Sequence, residues 1–116
     1  MSYTARRQPI EVGFWKSLDP RNDDGKYPDV RAFVDPSWNW AERDKVIRYV
    51  SDSRFLGDQY RGMSTCRICR IWNNGSADYS DGVYVWPEGF GHYLREHSVR
   101  PPAAFVAHVL RQVSSR

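Results

Sequence analysis

The stretch STCRIC, Ser64 to Cys69, carries the only two cysteines of the chain. Two thiols separated by two residues suit a tight turn that aims both sulfurs at one point. Downstream, WPEGFGHYLREH (residues 86–97) holds two of the three histidines, His92 and His97. The four residues read C-x2-C-x22-H-x4-H. Zinc takes four thiolate or imidazole ligands in a tetrahedron, and Cys66, Cys69, His92 and His97 supply such a set. The 22-residue gap is longer than a simple finger needs, but a β-hairpin fills it. A knuckle, a hairpin and a helix returning the last ligands make a treble-clef-like arrangement.

A plainer reading competes with this one. Five positions turn an ideal helix through about 140°, so His92 and His97 do not share a face. His97 falls with Phe90, Tyr93 and Leu94, where a buried, hydrogen-bonded core histidine is at home. The cysteines taken alone read as ordinary buried thiols. All four together favour the metal, provided a tightened or 3₁₀ last turn swings His97 round. His108 is the rival ligand. It lies about 130° from the centre of the apolar face of its own helix, so a surface or boundary position is expected.

The completeness of the set bears on chemistry. Catalytic zinc keeps an open position for water, whereas four good ligands close the shell, so a structural Zn²⁺ is expected. No H-E-x-x-H occurs, nor the zinc-deaminase order of H-x-E followed by P-C-x-x-C. CRIC lacks the βαβ surroundings of a thioredoxin-like redox pair. Ser64, Thr65 and Asp81 form no recognised triad, and Glu88 serves as acid or base only if the shell opens. A metal-dependent enzyme is the third reading, behind two kinds of binding module.

Around this unit the elements read as follows. Residues 1–35 are rich in Pro, Gly, Asp and Asn and form an irregular arm around one short strand, IEVGFW. Phe14, Trp15, Tyr27 and Phe33 make it a packed arm. DPSWNWAERDKVIRYVSD is a helix capped by Ser37 or Asn39, with Glu42 completing a capping box after Asn39. Trp38, Val46, Tyr49 and Val50 share its apolar face, with Ile47 at the margin. RFLGDQYRGMSTCRIC is a strand entering the knuckle. RIWNNGSADYSDGVYVW is a hairpin with Asn74-Gly75 and Asp81-Gly82 as turn signals. Pro87 suits the first turn of the helix bearing His92, which ends near His97 ahead of Pro101-Pro102. PAAFVAHVLRQV is a last helix with Phe105, Val106, Val109, Leu110 and Val113 on one face.

A length of 116 residues gives one domain, residues 1–116, with residues 54–100 as its zinc-binding unit. Hydrophobic content of 41% and five tryptophans indicate a folded globule. No apolar run approaches the roughly 20 residues of a membrane span. MSYTARRQPIEVGFW has no apolar h-region, which points to a cytoplasmic location and reduced thiols. The net charge is +3, and residues 54–70 set four arginines against Asp58 alone. This balance permits a nucleic-acid partner without specifying one.

The stretch STCRIC, then DGVYVWPEGFGHYLREHSVRPPAAFVAH, with FVDPSW near residue 33, resembles a group of small uncharacterised bacterial proteins. The resemblance spans roughly residues 30–110 and is most specific at WPEG with the following His-Tyr. It implies a zinc-finger-like fold with Cys66, Cys69, His92 and His97 as ligands, and it implies no activity. Arg70 departs from the glycine usual in such knuckles, and a left-handed backbone there strains a side chain.

The combined expectation is a small single α+β domain, a hairpin and about three helices around one structural zinc. Its function reads as an interaction module for an unidentified protein partner. The alternative is nucleic-acid binding through Arg61, Arg67, Arg70, Arg95 and Arg100, with Tyr60, Trp72 and Tyr93 as stacking planes. No membrane partner is expected.

Overall fold

The structure is a computed structural model that describes residues 8–22 and 25–114. Residues 1–7, the first half of MSYTARRQPIEVGFW, lie outside that set. The described residues form an α+β domain of three α-helices and a four-stranded sheet. The strands are β1 (Ile10–Glu11), β2 (Leu56–Gln59), β3 (Ala77–Ser80) and β4 (Tyr84–Pro87). The helices are α1 (Trp40–Val50), α2 (Phe90–Glu96) and α3 (Ala103–Ser114).

Helix α1 begins where the sequence signals it. Asn39 Oδ1 accepts the Glu42 N–H at 3.0 Å, satisfying one of the orphan donors of the first turn. Ser37 is engaged instead by Asp35, at 2.6 Å. The expected apolar face is buried, with Val46 and Val50 fully inaccessible. Arg43 shares that interior. Its guanidinium donates to the carbonyls of Leu94 (3.0 Å) and Arg95 (3.4 Å) and to Ser98 Oγ (3.2 Å). A cation thus fills the unsatisfied C-terminal end of α2, where the helix dipole favours it.

Asp81-Gly82 turns the β3–β4 hairpin, with Gly82 at φ 92°. Asn74-Gly75 makes no hairpin turn. The Asn74 N–H donates to Ser64 O and the Ser64 N–H to Gly75 O, so the pair closes the base of the knuckle. Pro87 also departs from expectation: it is the last residue of β4, opposite Asp78. The Glu88 N–H extends the ladder to Ala77 O at 2.8 Å, which keeps the chain extended past the proline. Helix α2 therefore starts at Phe90, with Gly89 as N-cap.

The sheet order is β1-β4-β3-β2. Strand β1 adds to β4 in parallel, Ile10 beside Tyr84, and the arm continues into the core through Val12 and Trp15. Trp86, Phe90, Leu94 and Phe105 are fully buried at its centre, and Trp86 Nε1 donates to Val50 O at 3.0 Å. Val106 and Val109 of α3 are buried, and Leu110 and Val113 pack against the core's edge.

His108 is not at the surface. Its side chain is 9% exposed, and Nε2 lies 2.7 Å from Oδ2 of Asp81, itself 5% exposed. The hairpin turn folds over α3 and supplies a carboxylate that the helix's own periodicity cannot reveal. Tyr49 donates to the same oxygen at 2.6 Å. Among the described residues, no helix is long and apolar enough to cross a membrane.

Candidate metal centre

Cys66 and Cys69 sit on a tight turn between β2 and β3. The Arg70 N–H bonds to Cys66 O (3.0 Å) and the Cys66 N–H to Ile71 O (2.9 Å), closing the turn. The Cys66 sulfur accepts the backbone N–H groups of Ile68 (3.4 Å) and Cys69 (3.5 Å). These contacts fix the position of the sulfur on the turn. Arg70 closes the turn at φ 65°, the left-handed conformation for which glycine is suited.

Tyr93 locks this turn to α2. Its hydroxyl accepts the Arg67 N–H at 2.8 Å. Burial above all pushes the phenol up to about 12, so it stays a neutral bridge at ordinary pH. Nothing in the sequence spacing identified Tyr93 for this role.

His92 projects from the first turns of α2, and its Nε2 lies 3.4 Å from the Cys69 sulfur. Burial, then the neighbouring His97, holds the ring's pKa below its ordinary value, which favours the neutral, ligating imidazole. His97 reaches the cluster without the anticipated 3₁₀ turn. It is the C-cap, opened to φ −125° and ψ 9°, yet its N–H still bonds to Tyr93 O at 3.1 Å. Ser98 then takes φ 56°, and the Val99 N–H returns to Tyr93 O. That opened cap sets the two imidazoles 5.0 Å apart between centroids at 73°.

The candidate ligand atoms of Cys66, Cys69, His92 and His97 all lie within 4.8 Å of one another. With Zn–S near 2.3 Å and Zn–N near 2.05 Å, a tetrahedron places sulfur about 3.5 Å from nitrogen. The Cys69–His92 separation matches that edge. His97 Nε2 is the second test of fit: it is buried and has no hydrogen-bond partner. A core histidine would have found one. The group could therefore hold a metal ion, and His108 is withdrawn to Asp81. Cys66 is buried, Cys69 exposed and both histidines half-buried, so one side of the cluster faces outward.

The five arginines are not one uniform patch. Arg100 pairs with Asp35 at 3.0 Å and lies over the Trp38 ring, and Arg95 pairs with Glu96 at 3.3 Å. Arg61 and Arg70 are exposed, and Arg67 folds back to Thr65 O at 2.6 Å. Of the three aromatics considered as stacking planes, Tyr93 is buried, while Tyr60 and Trp72 are 45% and 70% exposed. Ile71 and Met63, which flank the knuckle, are exposed as well. Comparison with protein-family models, with curated proteins and with solved structures returns no match to this chain.

Proposed function

We propose that the chain is a zinc-binding interaction module whose Cys2His2 site is structural and whose knuckle presents a surface to a protein partner. The observation that carries the metal reading is the convergence of four candidate ligand atoms within 4.8 Å. Two thiolates and two imidazoles are a zinc set in both number and softness. They close the shell and leave no position for an activated water, so the metal's role is to join knuckle to helix. Zinc supplies no chemistry beyond that bond.

The partner reading rests on Trp72 and Ile71. A tryptophan 70% exposed beside a metal-braced turn presents apolar surface that burial in an interface would reward. Metal analysis of the purified chain tests the first part. One zinc per chain is expected, lost in Cys66→Ser and His97→Ala, and full occupancy in both variants refutes it. Trp72→Ala tests the second. It leaves zinc content and melting unchanged while abolishing a cross-link that the parent forms with its partner, and an undiminished cross-link refutes the surface.

A further inference from the structure

A cleft of about 620 Å³ runs between the N-terminal arm and the knuckle. Small-molecule sites span about 300–1,000 Å³. Two residues lining it, Trp15 from the arm and Arg67 from the knuckle, each carry a buried nitrogen without a hydrogen-bond partner, Trp15 Nε1 and Arg67 Nε. Both groups donate and neither can accept. Trp15 is only 6% exposed, so bulk water does not readily satisfy it.

The guanidinium of Arg67 is held from one side. Its Nη1 donates to Thr65 O (2.6 Å) and Ser64 Oγ (3.3 Å), which fixes the plane. The opposite edge, Nε with Nη2, is the fork that matches an oxyanion bidentately, and it meets no protein acceptor among the described residues. Arg61 lines the same cleft, is exposed, and has no ion-pair partner among the described residues. The lining carboxylate Asp19 is already engaged by Arg21, with bonds of 3.0 and 3.1 Å. Flat walls complete the cleft: Phe14 stacks with Tyr27 at 5.7 Å, and Tyr60 is 45% exposed.

We propose that this cleft binds a small oxyanion carried on a flat ring-bearing body. Arg67 forks the oxyanion, Trp15 Nε1–H donates to a second acceptor, and Phe14, Tyr27 and Tyr60 cover the ring. Carboxylate and phosphate share the required chemistry. The orphan donors belong to residues that ligate nothing, although Arg67 stands between the two cysteines of the knuckle.

The test is a ¹⁵N NMR titration of the full chain, its metal content measured beforehand. The probes are benzoate, adenosine 5′-monophosphate, inorganic phosphate and neutral adenosine, each to about 10 mM, a range suited to millimolar dissociation constants. Benzoate or the nucleotide is expected to move both the Trp15 indole and the Arg67 Nε–H resonances, the former assigned with Trp15→Phe. Whichever binds tighter identifies carboxylate or phosphate as the anion. Inorganic phosphate and adenosine bind at least about tenfold more weakly, since each lacks half of the recognised chemistry. Arg67→Lys keeps the charge, lacks the fork, and weakens binding about tenfold. Arg61→Ala, at an exposed side chain, weakens it severalfold and serves if Arg67→Lys misfolds. Stationary resonances with every probe, adenosine binding as tightly as the anions, or undiminished affinity in both arginine variants would overturn the proposal.

Discussion

Gly89→Ala sets two physical expectations against each other. Gly89 has ordinary backbone angles, φ −79° and ψ 5°, which alanine adopts without strain. Reduced chain entropy in the unfolded state would then stabilise the variant by about 0.4–1 kcal/mol. The surroundings say otherwise. An added Cβ would stand 2.4 Å from both Cγ and the backbone O of Asn74, and 2.5 Å from its Nδ2. Asn74 is itself buried, donates to Gly89 O, and is fixed to Ser64 at the base of the knuckle. It has no room to retreat. Overpacking of this kind costs about 1–3 kcal/mol, and losing the buried Asn74 hydrogen bond adds about 1 kcal/mol. Less the entropic gain, the net cost is about 1–3.5 kcal/mol, which corresponds to a fall in melting temperature of roughly 4–14 °C for a domain of this size. This contact also clamps the cysteine half of the cluster to the histidine half, so a metal held there should be lost to a competing chelator at lower concentration. Thermal melts by circular dichroism and a chelator competition measure both effects. A melting temperature equal to or above the parent's, with unchanged competition, would refute the packing argument.

Further outcomes are expected. Chelator that strips the metal should lower the melting temperature by more than about 10 °C, because ligand bonds made only in the fold contribute folding energy. Arg70→Gly should retain zinc and raise stability by about 0.5–1 kcal/mol in urea unfolding, since it relieves the left-handed strain at φ 65°. Asp81→Ala should cost about 3 kcal/mol or more, because it leaves His108 and Tyr49 buried without their acceptor. The same carboxylate sets an acid limit. Burial alone would raise its pKa, but bonds from Tyr49, the Tyr84 N–H, His108 and the Val83 N–H outweigh that and hold it below the usual value. Its stabilisation is therefore present above the ordinary aspartate range, near 4, and disappears as pH falls through the lower folded value. Urea midpoints measured from neutral pH downward should show this loss, and Asp81→Asn should flatten that part of the profile.

What could be read from the chain was local. The CxxC spacing, the Asn39 cap, the Asp81-Gly82 turn and the apolar faces of α1 and α3 depend on neighbours within a few residues. The misreadings share the opposite property. Pro87 resembled a helix start because the ladder bond from Glu88 to Ala77 that keeps it in a strand is made across the sheet. His108 looked exposed because Asp81, its partner, is 27 positions away. Arg43 gave no hint of burial, since the carbonyls that receive it lie at the end of another helix. His97 enters the cluster through an opened cap followed by left-handed Ser98, a position where glycine or asparagine would have advertised the geometry.

The short parallel pairing of β1 with β4 also governs when the chain can complete its fold. Ile10 and Glu11 leave the ribosome ahead of their partners Tyr84 and Val85, which follow roughly 70 residues later, about 4–15 s at ordinary translation speeds. Val12 and Trp15 lack their β4 and α2 neighbours throughout that interval. Val34 has a similar wait for Val99, and Trp15 a slightly longer one for Phe90 and Tyr93. The arm thus emerges well ahead of its partners and is among the last segments to dock. Any factor that shields nascent apolar segments has those seconds in which to act, and a pause in translation before residue 84 prolongs the exposure of the arm.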